Sequence, residues 1–195
     1  MARKDFDLIT EWVEPDSRIL DLGCGDGSLL KLLNKKRNAS GYGVDTSIDK
    51  TIKSLDNTIN IINADINDHM DFFKDKSFDY VILAQSLQVV DNPVSLIKEM
   101  LRIGNEVIIS FPNMGYWRSR LYLFFRGEMP VTSELPFSWH STPNIHLCTI
   151  RDFKKMCISN NFQITEEVIN NVNGKNISAS LLNNLTGTSA IFRIK

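Results

Sequence analysis

Leu20-Asp21-Leu22-Gly23-Cys24-Gly25-Asp26-Gly27-Ser28 is the stretch whose reading decides the fold. The apolar run Arg18 to Leu22 enters a turn with glycine at alternate positions, and a helix opens at Ser28. That helix runs to Lys36 with Leu29, Leu32 and Leu33 on one face and lysines at its C-terminal end, where cations suit the helix dipole. Strand, tight glycine turn and helix together open a strand–helix–strand unit. The pattern then repeats along the chain. Gly41 to Asp45 and Asn60 to Ala64 read as strands, with a short helix from Ser47 to Leu55 capped by Ser47 between them. Phe78 to Ala84 is almost wholly apolar, as a central parallel strand covered on both faces should be. Pro93 to Leu101 follows as a helix with proline in its first turn, and Glu106 to Phe111 is a strand closed by Pro112-Asn113.

Strands that alternate with helices in this way predict a doubly wound α/β sheet. Right-handed crossovers then bring the strand C-terminal ends to one edge, so the functional loops follow Leu22, Asp45, Ala64, Ala84 and Phe111. Residues 113–149 break the rhythm, with a helix over Gly115 to Arg126 and a proline-containing loop from Met129 to Leu147. A helix from Ile150 to Asn161, a strand from Phe162 to Ile169, a polar turn from Asn170 to Asn176 and a last strand from Ala190 to Ile194 complete the chain. The expectation is one domain over 1–195. It holds a mostly parallel seven-stranded sheet, its last strand antiparallel, and a helix-plus-loop insertion at 113–149.

Composition narrows the function classes. The 195 residues are 43% hydrophobic and 23% charged, with a net charge of −1, which gives no electrostatic case for nucleic acid or an anionic membrane. Cys24, Cys148 and Cys157 form no C-x-x-C pair, so neither a metal site nor a redox pair is expected. The N-terminus lacks the apolar region of a signal peptide, and no apolar run approaches the roughly 20 residues that span a bilayer. These features predict a cytoplasmic protein.

Glycines at the first turn let a ligand lie against bare backbone, and on their own they suit a dinucleotide. The acids argue otherwise. Asp21 ends the first strand and Asp26 lies inside the loop, so a pyrophosphate there would meet carboxylates rather than a clean helix N-terminus. The glycine spacing also lacks the second spacer residue of the dinucleotide fingerprint. S-adenosylmethionine has no phosphate and carries a positive ammonium and sulfonium, which suit an acidic loop. Asp45, about 20 residues beyond the glycines, stands where a carboxylate accepts ribose hydroxyls. Asp65 is placed to accept an exocyclic adenine amine, with Ile66 against the ring. The candidate cofactor-binding set is therefore Asp21, Gly23, Cys24, Gly25, Asp45, Asp65, Ile66 and Gln85, the last of these following the fourth strand. Gln85, Gln88 and Asn113 can either line the cofactor or orient an acceptor.

Several segments together resemble one family. Asp5-Phe6-Asp7-Leu8-Ile9, the loop from Asp21 to Leu30, Gln85-Ser86-Leu87-Gln88-Val89-Val90 and Ser110-Phe111-Pro112-Asn113 are joined by Gly127-Glu128-Met129-Pro130-Val131-Thr132 and by Thr142 to Ile150. The glycine loop is shared by many class I methyltransferases, whereas the segments from Phe111 to Thr149 resemble the methionine biosynthesis protein MetW family. The resemblance implies a Rossmann-like class I methyltransferase fold, S-adenosylmethionine as cofactor with S-adenosylhomocysteine as product, and a role beside homoserine O-acyltransferase. It names no methyl acceptor. Asp45 stands where the pattern has glutamate, and Trp139-His140-Ser141 departs from it.

Two functions remain open at this point. One is methyl transfer to a small metabolite, with His146 or His140 as candidate bases. The other is a cofactor-sensing partner that acts on the acyltransferase without methyl transfer. The helix over Gly115 to Arg126 bears on the choice, because Tyr116, Trp117, Leu121, Tyr122, Phe124 and Phe125 interleave with Arg118, Arg120 and Arg126. That composition fits either a protein interface or a cap buried over the pocket.

Overall fold

A computed structural model describes residues 4–47, 59–68, 70–132, 135–171, 176–177 and 182–195. Its strands are β1 (Arg18–Leu22), β2 (Ser40–Asp45), β3 (Asn60–Asn63), β4 (Phe78–Ala84), β5 (Gly104–Pro112), β6 (Ile164–Asn170), β7 (Asn176–Ile177) and β8 (Ser189–Ile194). They form one sheet in the order β3-β2-β1-β4-β5-β8-β6-β7. β1 to β5 pair in parallel, and β8 enters antiparallel between β5 and β6. Seven of these are the expected strands, and the eighth, the two-residue β7, lengthens the edge beside β6. The polar turn expected between Asn170 and Asn176 lies, but for its ends and Asn171, outside the described residues, as does the expected helix after Ser47.

Period-two alternation fills both faces of the sheet. Ile19, Tyr80, Ile82 and Ile108 meet Ile9 of α1 (Lys4–Trp12) and Leu29, Leu30 and Leu33 of α2 (Ser28–Arg37) on one side. Leu20, Leu22, Val81, Leu83, Val107 and Ile109 meet α3 (Pro93–Ile103) on the other, through Leu96, Ile97 and Met100. Asn92 caps α3 by accepting the Ser95 amide, and Pro93 takes the first turn, where its missing N–H costs nothing. The helix α4 (Trp117–Arg126) belongs to neither core cluster, and Ser119 is the one residue of it that is buried. α5 (Ile150–Ser159) opens with a capping box between Thr149 and Asp152, and α6 (Asn183–Thr186) is a single turn before β8. Among the described residues, no helix is long and apolar enough to cross a membrane.

Topology fixes where a ligand can enter. The chain runs outward from β1 through β2 to β3 and then returns to the other side of β1 as β4, so the strand order reverses between β1 and β4. In open parallel sheets the carboxyl ends at such a reversal flank the binding crevice. The glycine loop after β1 and the turn after β4 are therefore its two walls.

At the far side of the sheet three rings close the core. Phe192 stacks on Phe111 at 5.8 Å and packs on Phe153 at 4.6 Å. Phe192→Ala is expected to cost about 3–5 kcal/mol, while Phe124→Ala, on an 80% exposed ring of α4, should stay within about 0.5 kcal/mol. Urea unfolding of the two variants beside the parent checks the contrast. Burial also pushes the thiols of Cys24 and Cys148 up to about 12 and that of Cys157 up to about 11. The folded chain thus keeps protons that the unfolded chain releases above about pH 8.5, so stability holds below that pH and falls as pH rises toward 12. Urea midpoints should match at pH 7 and 8 and drop at pH 10 and 11, with a shallower drop in Cys148→Ala.

Candidate functional site

A cavity of about 950 Å³ opens at the strand reversal. Its first wall is the loop after β1, where Gly23, Gly25 and Gly27 take φ of 70°, 57° and 72°. L-residues with a Cβ pay steric strain in that left-handed region, so glycine belongs there. A Cβ on Gly23 would also stand 2.7 Å from the Ser86 hydroxyl on the opposite wall. The loop is pinned to β2, since the Gly23 and Cys24 amides donate to the Val44 carbonyl at 2.7 and 3.1 Å.

Asp45 holds the next position. Its Oδ2 accepts the Gly25 amide and its Oδ1 accepts the Ser47 amide, each at 2.8 Å. One carboxylate thus ties the glycine loop to the turn after β2 while still lining the cavity. Asp65, exposed after β3, accepts the Asn67 amide at 2.9 Å, and Ile66 and Asn67 line the cavity beside it. In the glycine loop the Ser28 hydroxyl donates to Asp26 at 2.5 Å, which holds the Asp26 carboxyl below the usual carboxylate range.

The second wall is the turn after β4. Gln85 has φ of +59° without being glycine, a conformation that costs about 1–3 kcal/mol. Its amide donates to the Ser110 carbonyl at 2.9 Å, and the Gln88 side chain donates to the Gln85 carbonyl at 2.9 Å. Ser110 in turn donates to the buried carboxylate of Asp5 in α1 at 3.1 Å. A polar chain therefore runs from α1 through β5 to the strained turn.

The structure brings Gly23, Cys24, Gly25, Asp45, Asp65, Ile66 and Gln85 to the cavity wall. Asp21 is the exception. It is 2% exposed within β1 and does not line the cavity, although its charge, after burial, is the next cause that raises the Cys24 thiol, followed by Asp45. The field in the loop is thus negative by two independent routes, the acids that line it and the one beneath it.

Other wall residues were marked in the sequence through the family resemblance alone, with no cofactor role. Phe6 and Asp7 reach the cavity from α1, and Pro143 reaches it from the loop after α4. The signal for Phe6 and Asp7 was their place in the first turn of an amphipathic segment that carries two acids, Asp5 and Asp7. The histidines fare differently. Neither His140 nor His146 lines the cavity, and the His146 ring meets the Asp91 carbonyl at 3.2 Å. Of the glutamines, Gln88 holds the loop by accepting the Ile145 and His146 amides at its backbone carbonyl, at 2.8 and 3.0 Å. Asn113 serves as a structural bracket, donating to Gly187 and Asn184 carbonyls and accepting the Gly115 and Ile150 amides.

Similarity to known proteins agrees with this frame. A bifunctional methionine biosynthesis protein MetXA/MetW of Rhodopirellula baltica is 36% identical over 96% of the chain, which spans 32% of that relative's length. An S-adenosylmethionine dependent methyltransferase from Mesorhizobium loti superposes with a TM-score of 0.72 at 15% identity, covering 99% of this chain and 98% of that one. The [4+2]-cyclase SpnF superposes with a TM-score of 0.70 at 14% identity, covering 98% and 80% of the two chains. These structures share the Rossmann-like methyltransferase fold. The model of the methionine biosynthesis protein MetW family matches residues 3–194, and the chain belongs to that family.

Proposed function

We propose that the cavity binds S-adenosylmethionine, and its product S-adenosylhomocysteine, in a cytoplasmic, methyltransferase-like protein of methionine biosynthesis that works beside a homoserine O-acyltransferase. One observation carries the cofactor assignment. Asp7, Asp26, Asp45 and Asp65 line the cavity, and among the described residues that line it there is no lysine, arginine or histidine. A pyrophosphate would meet only like charge there, whereas a sulfonium and an ammonium meet their complement. The size also fits, since small-ligand sites span about 300–1,000 Å³.

The residues divide the ligand between them. Asp45 accepts the ribose hydroxyls with lone pairs that its two backbone donors leave open. Asp65 accepts the exocyclic amine while Ile66 packs on the adenine. The glycine loop offers backbone to the amino-acid end, with Gly23, Cys24 and Gly25 in contact. Gln85 lines the opposite wall, and Asp21 contributes charge from beneath. The cofactor, when bound, supplies an electrophilic methyl group. This chain's part in any transfer is to orient that group and keep water away, through Phe6, Val89 and Pro143 at the cavity wall. The same 1–195 stretch acts as one domain, with 113–149 as its insertion.

A second reading has its own support. His146 is engaged by backbone and lies off the cavity wall, so the histidine bases considered for an acceptor are not at the site. A fold also found in a [4+2]-cyclase does not dictate methyl transfer. The chain then acts as a sensor, binding the cofactor and biasing the acyltransferase through differential affinity. The Rhodopirellula relative, which carries MetXA and MetW in one chain, supports the pairing in either case.

Isothermal titration with S-adenosylmethionine tests the cofactor assignment. The parent should bind, Asp45→Asn should bind about 10–100-fold more weakly, corresponding to about 1.5–3 kcal/mol for charge-assisted hydrogen bonds, and Gly23→Ala should not bind measurably. Binding of NAD in preference to S-adenosylmethionine would overturn the assignment. Mixing the chain with the acyltransferase, S-adenosylmethionine and a small-metabolite extract that supplies methyl acceptors separates the two readings. S-adenosylhomocysteine accumulates if the chain is a methyltransferase, and faster acyl transfer without cofactor turnover marks a sensor.

A further inference from the structure

We propose that α4 and the loop after it are the surface on which the acyltransferase docks, and that the facing patch on that partner is an apolar groove rimmed with carboxylates. The inference rests on the partner reading above and adds where and by what chemistry the contact forms. Phe124, Phe125 and Trp139 are 80%, 75% and 76% exposed, and Phe137 is 52% exposed. Phe124 and Phe125 pack edge to face at 5.1 Å, and adjoining rings of this size left in water mark an interaction site rather than ordinary surface. The helix does not earn its place by filling the core, since only Ser119 of it is buried. The alternative that α4 is a cap buried within the monomer therefore fails.

Charge selects the occupant. Arg118, Arg120 and Arg126 lie among the rings, residues 113–127 contain no acid, and Glu128, which follows directly, accepts the Tyr122 hydroxyl at 3.4 Å. Arg118 stacks on Trp117 at 5.4 Å and Arg126 on Tyr122 at 5.3 Å, which presents planar guanidinium groups already ordered on aromatic faces. Among the described residues none of the three arginines forms a salt bridge. A second copy of this chain, meeting the same face about a two-fold axis, would set three arginines of each copy against Glu128 as the one described acid bordering α4, an excess of like charge. A different protein with acidic groups around an apolar groove answers both the rings and the charges. About two thirds of the Rhodopirellula relative, which is named as both MetXA and MetW, lies outside the region that this chain matches, so a second part shares one polypeptide with the matching region there.

The test uses the purified chain and the homoserine O-acyltransferase of the same organism, with affinity read by titration and mass by sedimentation. The parent should form a complex, and Phe124→Ala/Phe125→Ala should weaken it at least about 30-fold, as loss of interface anchors does. Arg118→Glu/Arg126→Glu should weaken it too, while Ile158→Ala, on a 76% exposed side chain of α5, should leave it unchanged. Thermal midpoints and S-adenosylmethionine affinity should match the parent in all three variants, which separates lost docking from lost folding. A double phenylalanine variant that binds the acyltransferase as tightly as the parent overturns the surface and leaves the partner reading standing. A parent that binds S-adenosylmethionine but no acyltransferase overturns the partner reading and this surface with it. Self-association that the phenylalanine changes abolish, with no effect on the acyltransferase, assigns the face to a second copy and also overturns the proposal.

Discussion

The backbone of the glycine loop lies directly against the end of β2, and the rest of the site follows from that contact. Amides of Gly23 and Cys24 share the Val44 carbonyl, and the amide of Gly25 reaches the Asp45 carboxylate. The approach is tight on both sides. A Cβ at Gly43 would come within 2.5 Å of the Cys24 sulfur, so β2 must be bare where the loop crosses it. Once the loop is held there, α2 leaves in a fixed direction and Asp45 faces the cavity because the loop has drawn it inward. A carboxylate that binds protein amides and borders the cavity is costly to lose twice over, for the loop's shape and for the cavity's negative charge.

The opposite wall is built on strain rather than on permissive glycine. Gln85 holds a left-handed backbone with a full side chain, and the hydrogen bonds from its amide to Ser110 and into its carbonyl from Gln88 offset that cost. Ser110 is in turn anchored by Asp5 from α1, so the first helix of the chain steadies a turn about eighty residues later (Asp5 to Gln85). This explains why α1 belongs to the site and is more than a cover for the sheet. Its first turn supplies Phe6 and Asp7 to the cavity and Asp5 to the support of the facing wall.

Much of this was legible in the sequence where local pattern and global position agree. β1 and β4 have the bounds expected of them, because an apolar run ended by glycine or by a polar turn leaves little freedom. Asp45 at the end of β2 and Asp65 after β3 fell at the cavity because strand C-terminal ends gather there whatever the neighbouring residues are. Asp21 shows the limit of that rule. It stands one residue before the end of β1, and period-two alternation turns it toward the α1 and α2 face, where it is buried. α1 was not legible as a helix, since no capping residue or preceding strand marks its start in the sequence, and its helicity is supported by packing through Ile9. The two-residue β7 exists only because β6 offers an edge to pair with.

The insertion posed a question that periodicity has no means to answer. A helix with apolar rings on several faces is equally consistent with deep burial and with a partner, since both environments reward the same side chains. Tertiary position decides it, and here the helix stands away from both core clusters. The loop that follows it nonetheless returns to the cavity at Pro143 and is fastened by the Gln88 carbonyl, in the segment that also supports Gln85. A ligand in the cavity and a protein on α4 would therefore bear on one connected segment. If the ligand's presence shifts that segment, it changes the partner's affinity, and linkage requires that the partner change the ligand's affinity by the same factor. That reciprocity separates a sensor from an enzyme that merely sits beside its neighbour, because an enzyme's turnover places no such constraint on two binding constants.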